Sequence, residues 1–524
     1  MAAPKSSIAL ALATVCLGLF ATPGRAADSG PGCDLVNPCE PAVGAVVGVA
    51  ADSVAAPYGI QPAGRRCRAG SMRLGWQDDD RLLYRQSLGL PADAPFDDSE
   101  GERLADIRID AILDRFAQAG GCLVRLIAFW GATENSDGTW YFDKLERAVG
   151  RLRAKGFRVL LTLSGANYEC IDSGGAAGLY NPRARACTDD PLVDGDHVPC
   201  GAPAGRPAGP LGEGTQTQAT SLAPDPACFA RFVGATTAHF RGRGVELFSL
   251  WNEPNHPSFL QGTGAEQAAD ILPAARYRDL YQAGYRAAKR ANPKAKVLIG
   301  ELSSGPRRGS RFSLVAPRRR VTAPEFLSEV ASPGRELQAD GVAWHPYQHG
   351  VDPVRRSSAG YVGIGDLDAL QRTLDALWAA DGHGRRRLAL PAQSSRPRGR
   401  PPLLLTEFGY LIRGNSRRPR AHIIDDVSRA AWLRRALTLS RARGAALMVL
   451  YTGTEYEPGA YPPERRDDYG IFEKTGAVTG KRSYGRGDRT RRAYCAGVFG
   501  WARLAGYPVA LDDPATAPDE GPPC

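Results

Sequence analysis

Two glutamates, Glu253 and Glu407, each stand at the end of a short apolar run of the chain. Glu253 belongs to the sequence Trp-Asn-Glu-Pro-Asn at 251–255, which follows the largely apolar run 245–250, and Glu407 ends the run 403–407. Runs of this length and composition predict buried strands. A carboxylate at a strand end can protonate a leaving oxygen, a neighbouring amide can bind a hydroxyl, and the ring of Trp251 can stack on a sugar. Because cleavage of a glycosidic bond needs two carboxylates, the pair predicts this chemistry.

The elements that would position these glutamates alternate along the chain. Strands are predicted at 72–76, 123–130, 157–163, 245–250, 296–300, 341–345, 403–407 and 445–451, and helices at 103–119, 142–155, 225–241, 272–291, 323–331, 366–380, 424–443 and 491–505. This alternation predicts an α/β fold, a (β/α)8 TIM barrel with long loops after its strands. An open doubly wound sheet is the alternative, but no Gly-rich phosphate fingerprint follows the first strand.

Polar and aromatic residues occupy the carboxyl ends of the predicted strands, where the active sites of such barrels lie. They are Arg125 and Trp130 on the second strand, Asn252 and Glu253 after the fourth, His345 and Tyr347 on and after the sixth, Glu407 on the seventh, and Tyr451 on the eighth. An arginine inside an apolar run needs a buried carboxylate partner, and Glu407 is the natural one for Arg125. These residues form the candidate site.

This ordered set resembles the motifs of clan A glycoside hydrolases, a superfamily of retaining TIM barrels. Trp-Asn-Glu-Pro after the fourth strand and Thr-Glu-Phe-Gly at the seventh are its two signatures, and His-x-Tyr on the sixth and Arg on the second support them. The resemblance covers roughly residues 70–508 and points to family 39 or to the cellulase-like family 5. It implies hydrolysis of a β-linked oligo- or polysaccharide without a cofactor.

The resemblance implies a role for each matching residue. Glu253 would be the acid/base and Glu407 the nucleophile that forms a glycosyl-enzyme, with the two carboxyls about 5–5.5 Å apart. Asn252 would bind the sugar 2-hydroxyl. The other residues would bind the sugar or shape the surroundings of the nucleophile: Arg125, His345, Tyr347, Trp130 and Tyr451. We expect the guanidinium to keep Glu407 ionised, and a less polar setting together with the negative charge of Glu407 to keep Glu253 protonated.

Several alternatives stay open. The clan usually carries a tryptophan at the end of strand eight, where the nearest residue in this chain is Tyr451 or Tyr456. This difference favours a catalytically silent carbohydrate-binding protein on the same barrel. Trp130 is as compatible with core packing as with a sugar platform. His345 and His349 suggest a metal pair, but Pro346 prevents a helical geometry, so we expect a hydrogen-bonded histidine and no metal. Transglycosylation would use the same two carboxylates.

The first 26 residues predict a secretory signal peptide. Lys5 precedes the apolar run 8–20, and Gly24 and Ala26 supply small residues for cleavage after Ala26. We divide the rest into an irregular cysteine-containing segment at 27–70, a glycoside hydrolase barrel at 71–508 and a C-terminal tail at 509–524. An uncleaved anchor is the alternative, but the run is shorter than the roughly 20 residues that span a bilayer. We therefore expect an extracellular protein without stable membrane insertion.

Ten of the 11 cysteines follow the signal, and an even number in an exported chain predicts disulfides. A zinc site is the alternative, but the CxxC spacing is absent. The formal net charge is +10, with arginine clusters at 307–320 and 385–400. A basic face could bind an anionic polymer, but no nucleic-acid-binding motif accompanies the charge, so we expect no nucleic-acid partner. Nothing in the sequence indicates an oligomeric state.

Overall fold

A computed structural model describes the barrel strands and seven of the helices around them. The described residues are 72–83, 99–134, 139–165, 224–245, 247–256, 259–260, 274–308, 320–332, 336–391, 400–411 and 422–451. The predicted signal peptide, N-terminal segment, C-terminal tail and helix 491–505 lie outside these residues.

Eight parallel strands close into a barrel. They are β1 Arg73–Gln77, β2 Leu123–Phe129, β3 Arg158–Ser164, β4 Leu247–Leu250, β5 Lys296–Ser303, β6 Gly341–His345, β7 Leu403–Phe408 and β8 Leu447–Tyr451. Each strand pairs with its neighbours in chain order, and β1 closes the barrel by pairing with β8 from Arg73 opposite Leu447 to Gln77 opposite Tyr451. The predicted TIM barrel is confirmed, and the closure excludes the open sheet.

In the described part of the chain, one helix of eight or more residues follows each of β1 to β7. These helices are α1 Ser99–Gln118, α2 Asp143–Ala154, α3 Pro226–Phe240, α4 Ala274–Ala291, α5 Ala323–Val330, α6 Leu367–Trp378 and α7 Asp426–Ala442. Side chains that accept hydrogen bonds from first-turn N–H groups begin several of them: Asp225 caps α3, and Thr322 forms a capping box with Glu325 at α5. Gly156 follows α2 with φ 80°, the conformation that ends helices, as predicted.

Apolar side chains fill the amino-terminal half of the barrel. Those buried together inside it are Leu123, Leu160, Leu298, Ala343, Leu404, Leu447 and Val449. Because alternate residues of a strand face the same side, the next inward positions on β2, β3 and β6 are Arg125, Thr162 and His345. The barrel therefore holds a layer of polar side chains on an apolar floor, directly below the strand ends.

The fifth strand differs from its prediction, since it continues through Ser303 instead of ending at Gly300. Its pairing with β6 shifts register between Gly300 and Leu302, which is a β-bulge. Gly300 has φ 111° and Glu301 has φ 50°. A Cβ at Gly300 would lie 2.4 Å from the carbonyl oxygen of Ala343, so only glycine fits there. The bulge turns the side chain of Glu301 into the barrel.

Cys122 and Cys228 are the cysteines within the described ranges. The predicted disulfides depend on cysteines outside these ranges and stay a prediction. None of the described helices combines the length and apolar character needed to cross a membrane.

Candidate active site

The segment after β4 carries Glu253 on an unusual backbone. Trp251 and Glu253 have φ 75° and 45°, values that residues with a Cβ seldom adopt and that local hydrogen bonds must hold. The backbone N–H of Asn252 donates to Ser164 Oγ at 3.1 Å, and that of Glu253 donates to the carbonyl of Glu301 at 3.0 Å. These contacts, to β3 and to the bulge of β5, fix the carboxylate of Glu253 above the barrel, where its side chain is 13% exposed.

Glu407 projects from the end of β7 and is held at both carboxylate oxygens. Arg125 Nη1 donates to Oε2 at 2.8 Å, and the hydroxyl of Tyr347 donates to Oε1 at 2.8 Å. The side chain is 14% exposed, so part of it stays accessible to solvent. The two donors fix the orientation of the carboxylate.

His345 lies between the two carboxylates. Its Nδ1 is 3.0 Å from Glu253 Oε1 and 3.9 Å from Glu407 Oε2, so these two oxygens are at most 6.9 Å apart. Retaining glycosidases hold their carboxyls about 5–5.5 Å apart and inverting ones about 6.5–9.5 Å apart. An oxygen pair within this bound is compatible with the carboxyl separation of a retaining enzyme.

Two opposing effects act on the ionisation of Glu253. Burial raises its pKa, whereas the hydrogen bond and the charge of His345, followed by His256 and Arg125, lower it, and the lowering prevails. The direction of this pKa is opposite to our expectation that a less polar setting and the negative partner keep Glu253 protonated, because that expectation omitted the contact with His345. Within the described residues, Nε2 of His345 is buried without a hydrogen-bond partner. A buried N–H without an acceptor is costly, so the ring nitrogen that carries a proton is Nδ1, which donates to Glu253 Oε1.

Arg125 is fully buried and joins five strands through its guanidinium. Nη1 donates to Glu407 Oε2 at 2.8 Å and also to Gln77 Oε1. Nη2 donates to Asn252 Oδ1 at 2.8 Å and to Glu301 Oε2 at 2.7 Å. Nε donates to Thr162 Oγ1 at 3.0 Å and to Glu301 Oε1 at 3.1 Å. All five N–H groups of the arginine thus have acceptors, and its orientation is determined completely.

The sequence predicted one carboxylate partner for Arg125, and the structure supplies two. Glu407 is the predicted partner, and Glu301, which sequence reasoning missed, is the other and is fully buried. Two signals could have found it: an isolated glycine inside the strand pattern, just before Glu301, indicates a bulge, and five guanidinium donors need more than one carboxylate. Burial alone would lower the pKa of Arg125, but the charges of Glu301 and Glu407 outweigh it and raise the pKa.

The tryptophans near the strand ends pack into the core. Trp130 is fully buried in the turn after β2, and its ring stacks on Phe232 of α3 with 5.5 Å between centroids. Trp251 is equally buried: its ring meets Phe229 edge-on at 5.5 Å, and Nε1 donates to the carbonyl of Phe259 at 3.0 Å. Neither ring offers a face to a sugar, so the structure favours core packing over the sugar-binding role predicted for Trp130.

Tyr451 ends β8 beside the site. It is half-buried and packs against the cluster of Tyr347 and Leu411. Because Tyr347 contacts Glu407, Tyr451 lies one side chain away from the predicted nucleophile. Tyr451 is the last residue of β8, the strand end at which the clan usually carries a tryptophan.

The two histidines considered as a metal pair have separate surroundings. His345 binds Glu253, whereas the ring of His349 stacks between Tyr347 and His422 with centroids 5.2 and 5.3 Å away. Over the described ranges, no group of three or more His, Cys, Asp or Glu side chains is arranged to hold a metal ion.

The chain is similar to several solved protein structures. No protein-family model and no curated protein matches the chain. It is similar to a monomeric β-xylosidase from Caulobacter crescentus CB15 (18% identity, TM-score 0.44, covering 81% of this chain and 66% of that chain) and to a GH39 enzyme from Xanthomonas axonopodis pv. citri (19%, 0.44, 81% and 65%). It is also similar to GH5_18 from Streptomyces cattleya in complex with GlcNAc (13%, 0.45, 84% and 83%).

Two of these structures are named as members of families 39 and 5. The chain spans just under two thirds of the length of the first two structures. With TM-scores below 0.5 the matches carry no weight for the site, and the barrel is established by its own strand order.

Proposed function

We propose that the protein is a retaining glycoside hydrolase that cleaves O-glycosidic bonds of a β-linked oligo- or polysaccharide. The observation that carries the proposal is the pair of partly exposed carboxylates, Glu253 and Glu407, that His345 bridges at the barrel mouth. One of them is held by two hydrogen-bond donors suited to a nucleophile, and the other by a proton-carrying ring. These are the two roles that a double displacement at an anomeric carbon requires.

In the first step, a carboxylate oxygen of Glu407 bonds to the anomeric carbon, the bond from that carbon to the leaving oxygen breaks, and Glu253 donates a proton to this oxygen. The products are a glycosyl ester on Glu407 and a free alcohol. The amide oxygen of Asn252 accepts from Arg125, which leaves its NH₂ group to bind the sugar 2-hydroxyl.

In the second step, Glu253 removes a proton from a water molecule as the water oxygen bonds to the anomeric carbon and the ester bond breaks. The carboxylate of Glu407 and the proton on Glu253 are restored, and two inversions give net retention. Because Nδ1 of His345 lies 3.0 Å from Glu253 Oε1, we propose that the two side chains hold the catalytic proton jointly in this hydrogen bond.

A screen of aryl β-glycosides and of plant and microbial polysaccharides tests this proposal. We expect the wild type to hydrolyse at least one substrate and Glu407→Ala to hydrolyse none. The matched control is Asp381→Ala, which removes an exposed carboxylate from the turn after α6 and should keep wild-type activity. Failure of the wild type on every substrate would overturn the proposal.

A catalytically silent carbohydrate-binding protein is the second candidate, favoured by Tyr451 in the place of the usual tryptophan. Such a protein would be retarded on a polysaccharide gel and would release no reducing ends from the same polymer. Retardation together with release of reducing ends that depends on Glu407 would exclude it.

We also propose that the protein is exported after removal of residues 1–26 and carries disulfides among its remaining cysteines. The support is the apolar run 8–20 and the even cysteine number. Secretion from a host with an oxidising export pathway should give a chain that begins at Ala27. Alkylation should add mass at the disulfide-bonded cysteines only after the chain has been unfolded and reduced. A chain that still begins at Met1 would contradict the cleavage.

A further inference from the structure

Glu301 occupies a strained position that its surroundings hold in place. Its φ is 50°, and at the preceding position, Gly300, only a glycine fits against β6. The hydroxyl of Tyr277 on α4 accepts from the N–H of Gly300 at 2.9 Å and donates to the carbonyl of Leu250 at 3.0 Å. One side chain thus clamps the bulge to the end of β4. Unfavourable backbone that the surrounding structure maintains points to a use for the residue that adopts it.

The side chain of Glu301 makes a more extensive contact with Arg125 than that of Glu407 does. It accepts from Nε at 3.1 Å and from Nη2 at 2.7 Å, and the hydroxyl of Thr162 donates to it at 2.9 Å. Glu407 makes a single contact with the same guanidinium. A two-point contact fixes the plane of the guanidinium, so Glu301 directs the remaining N–H groups towards Glu407 and Asn252.

The main chain of Glu301 reaches the other carboxylate of the pair. Its carbonyl oxygen accepts from the backbone N–H of Glu253 at 3.0 Å. A single residue on β5 therefore touches the backbone that carries Glu253 and the guanidinium that orients Glu407.

We propose that Glu301 is a positioning residue and the permanent counter-ion of Arg125 during the reaction. This inference rests on the proposed function. When Glu407 becomes a glycosyl ester, it loses its negative charge, and a fully buried Arg125 would be left without a charged partner. A buried charge whose partner is removed is strongly destabilising. Glu301 keeps the arginine paired in both states, so the charge of Glu407 can disappear and return without that penalty.

The variant Glu301→Gln removes the charge and preserves the size of the side chain. Without the charge of Glu301, Arg125 depends on the charge of Glu407, which formation of the ester removes. An opposite charge at contact distance favours the charged form of a carboxylate by about 10- to 1000-fold, so we expect formation of the ester to slow on the order of 100-fold. That factor corresponds to about 2.7 kcal/mol. Breakdown of the ester should not slow, because it restores the charge of Glu407 beside an arginine that then lacks another partner.

The experiment measures two rate constants with a fluorinated β-glycoside inactivator that bears a dinitrophenolate leaving group: labelling of the protein, and reactivation of the isolated adduct. The control is Asp340→Asn, which removes another buried carboxylate, paired with Lys289 at 2.7 Å at the opposite end of the barrel. It should lower the melting temperature and leave both rate constants unchanged. A purely structural role for Glu301 predicts the same behaviour for Glu301→Gln, and that result would overturn the inference.

The variant Glu301→Asp keeps the charge in a shorter side chain, and it decides the matter if Glu301→Gln does not fold. We expect it to be labelled within about tenfold of the wild-type rate, since a charged partner is retained. A loss as large as 100-fold in this variant would show that packing, and not charge, is what the position supplies. A wild type that is never labelled would overturn the proposed function, and this inference with it, whereas unchanged labelling of Glu301→Gln would overturn this inference alone.

Discussion

Replacing Glu253 by alanine should separate the substrates of this protein by their leaving groups. The change removes the proposed proton donor and leaves Nδ1 of His345 without its acceptor. Because that ring is fully buried, the unpaired N–H should cost about 1–3 kcal/mol of stability. The variant Glu253→Gln keeps an acceptor in the same place and still cannot protonate a leaving group, so it serves as the stability-matched partner.

The expected size of the effect follows from the role assigned to Glu253. General acid catalysis contributes about 10²- to 10⁴-fold, and a leaving group that must be protonated should lose most of it. A dinitrophenolate leaves without protonation, so its rate should fall by less than about tenfold. A sugar leaving group, with a much higher pKa, should react on the order of 10³-fold more slowly in both variants.

The assay is kcat/KM for a series of aryl glycosides and one disaccharide, plotted against the pKa of the leaving group for the wild type and both variants. The wild type should give a shallow slope and the two variants a common steep one. Equal loss for every leaving group would contradict the assignment of Glu253 as the acid. A steep slope in Glu253→Ala but not in Glu253→Gln would attribute the effect to the disturbed His345 instead.

Three further changes test the surroundings of the carboxylates. His345→Gln removes the main cause that lowers the pKa of Glu253 and leaves burial, which raises this pKa. The alkaline limb of the pH profile of kcat/KM should therefore move to higher pH. A move to lower pH would contradict the effect of His345 on Glu253. Tyr347→Phe removes one donor to Glu407 and should reduce kcat/KM by about 10- to 100-fold, the value of a hydrogen bond to a charged group, with the melting temperature unchanged. Gly300→Ala would place a Cβ 2.4 Å from a backbone oxygen at positive φ and should destabilise the protein by several kcal/mol in a denaturant titration; wild-type stability would show that the bulge can relax.

The fold could be predicted because each strand is a short apolar run and a helix with an apolar face follows each of β1 to β7. The carboxyl ends of parallel strands share one rim, so Glu253 and Glu407 could be placed together without knowing any distance. Strand β5 marks the limit of this reasoning. A Gly-Glu pair reads as the end of a strand, whereas packing of Gly300 against β6 and the hydroxyl of Tyr277 make it a bulge inside one.

Two parts of the site required the three-dimensional arrangement. An aromatic residue at a strand end has the same sequence whether it faces the mouth or the core, and Trp130 is directed inwards by Phe232, which lies on another element. The ionisation of Glu253 depends on His345, 92 positions away in the chain, so burial alone gave the wrong direction for its pKa. Contacts between distant residues decide both outcomes, and no local pattern records them.

The central claim is that Glu407 forms a covalent bond to the sugar. Incubation of the wild type with the fluorinated β-glycoside inactivator, followed by proteolysis and mass spectrometry of the peptides, tests it directly. The account predicts one sugar adduct per chain, located on Glu407 and absent from Glu407→Ala. An adduct on Glu253, or hydrolysis of the activated glycoside with inversion and no adduct, would contradict it.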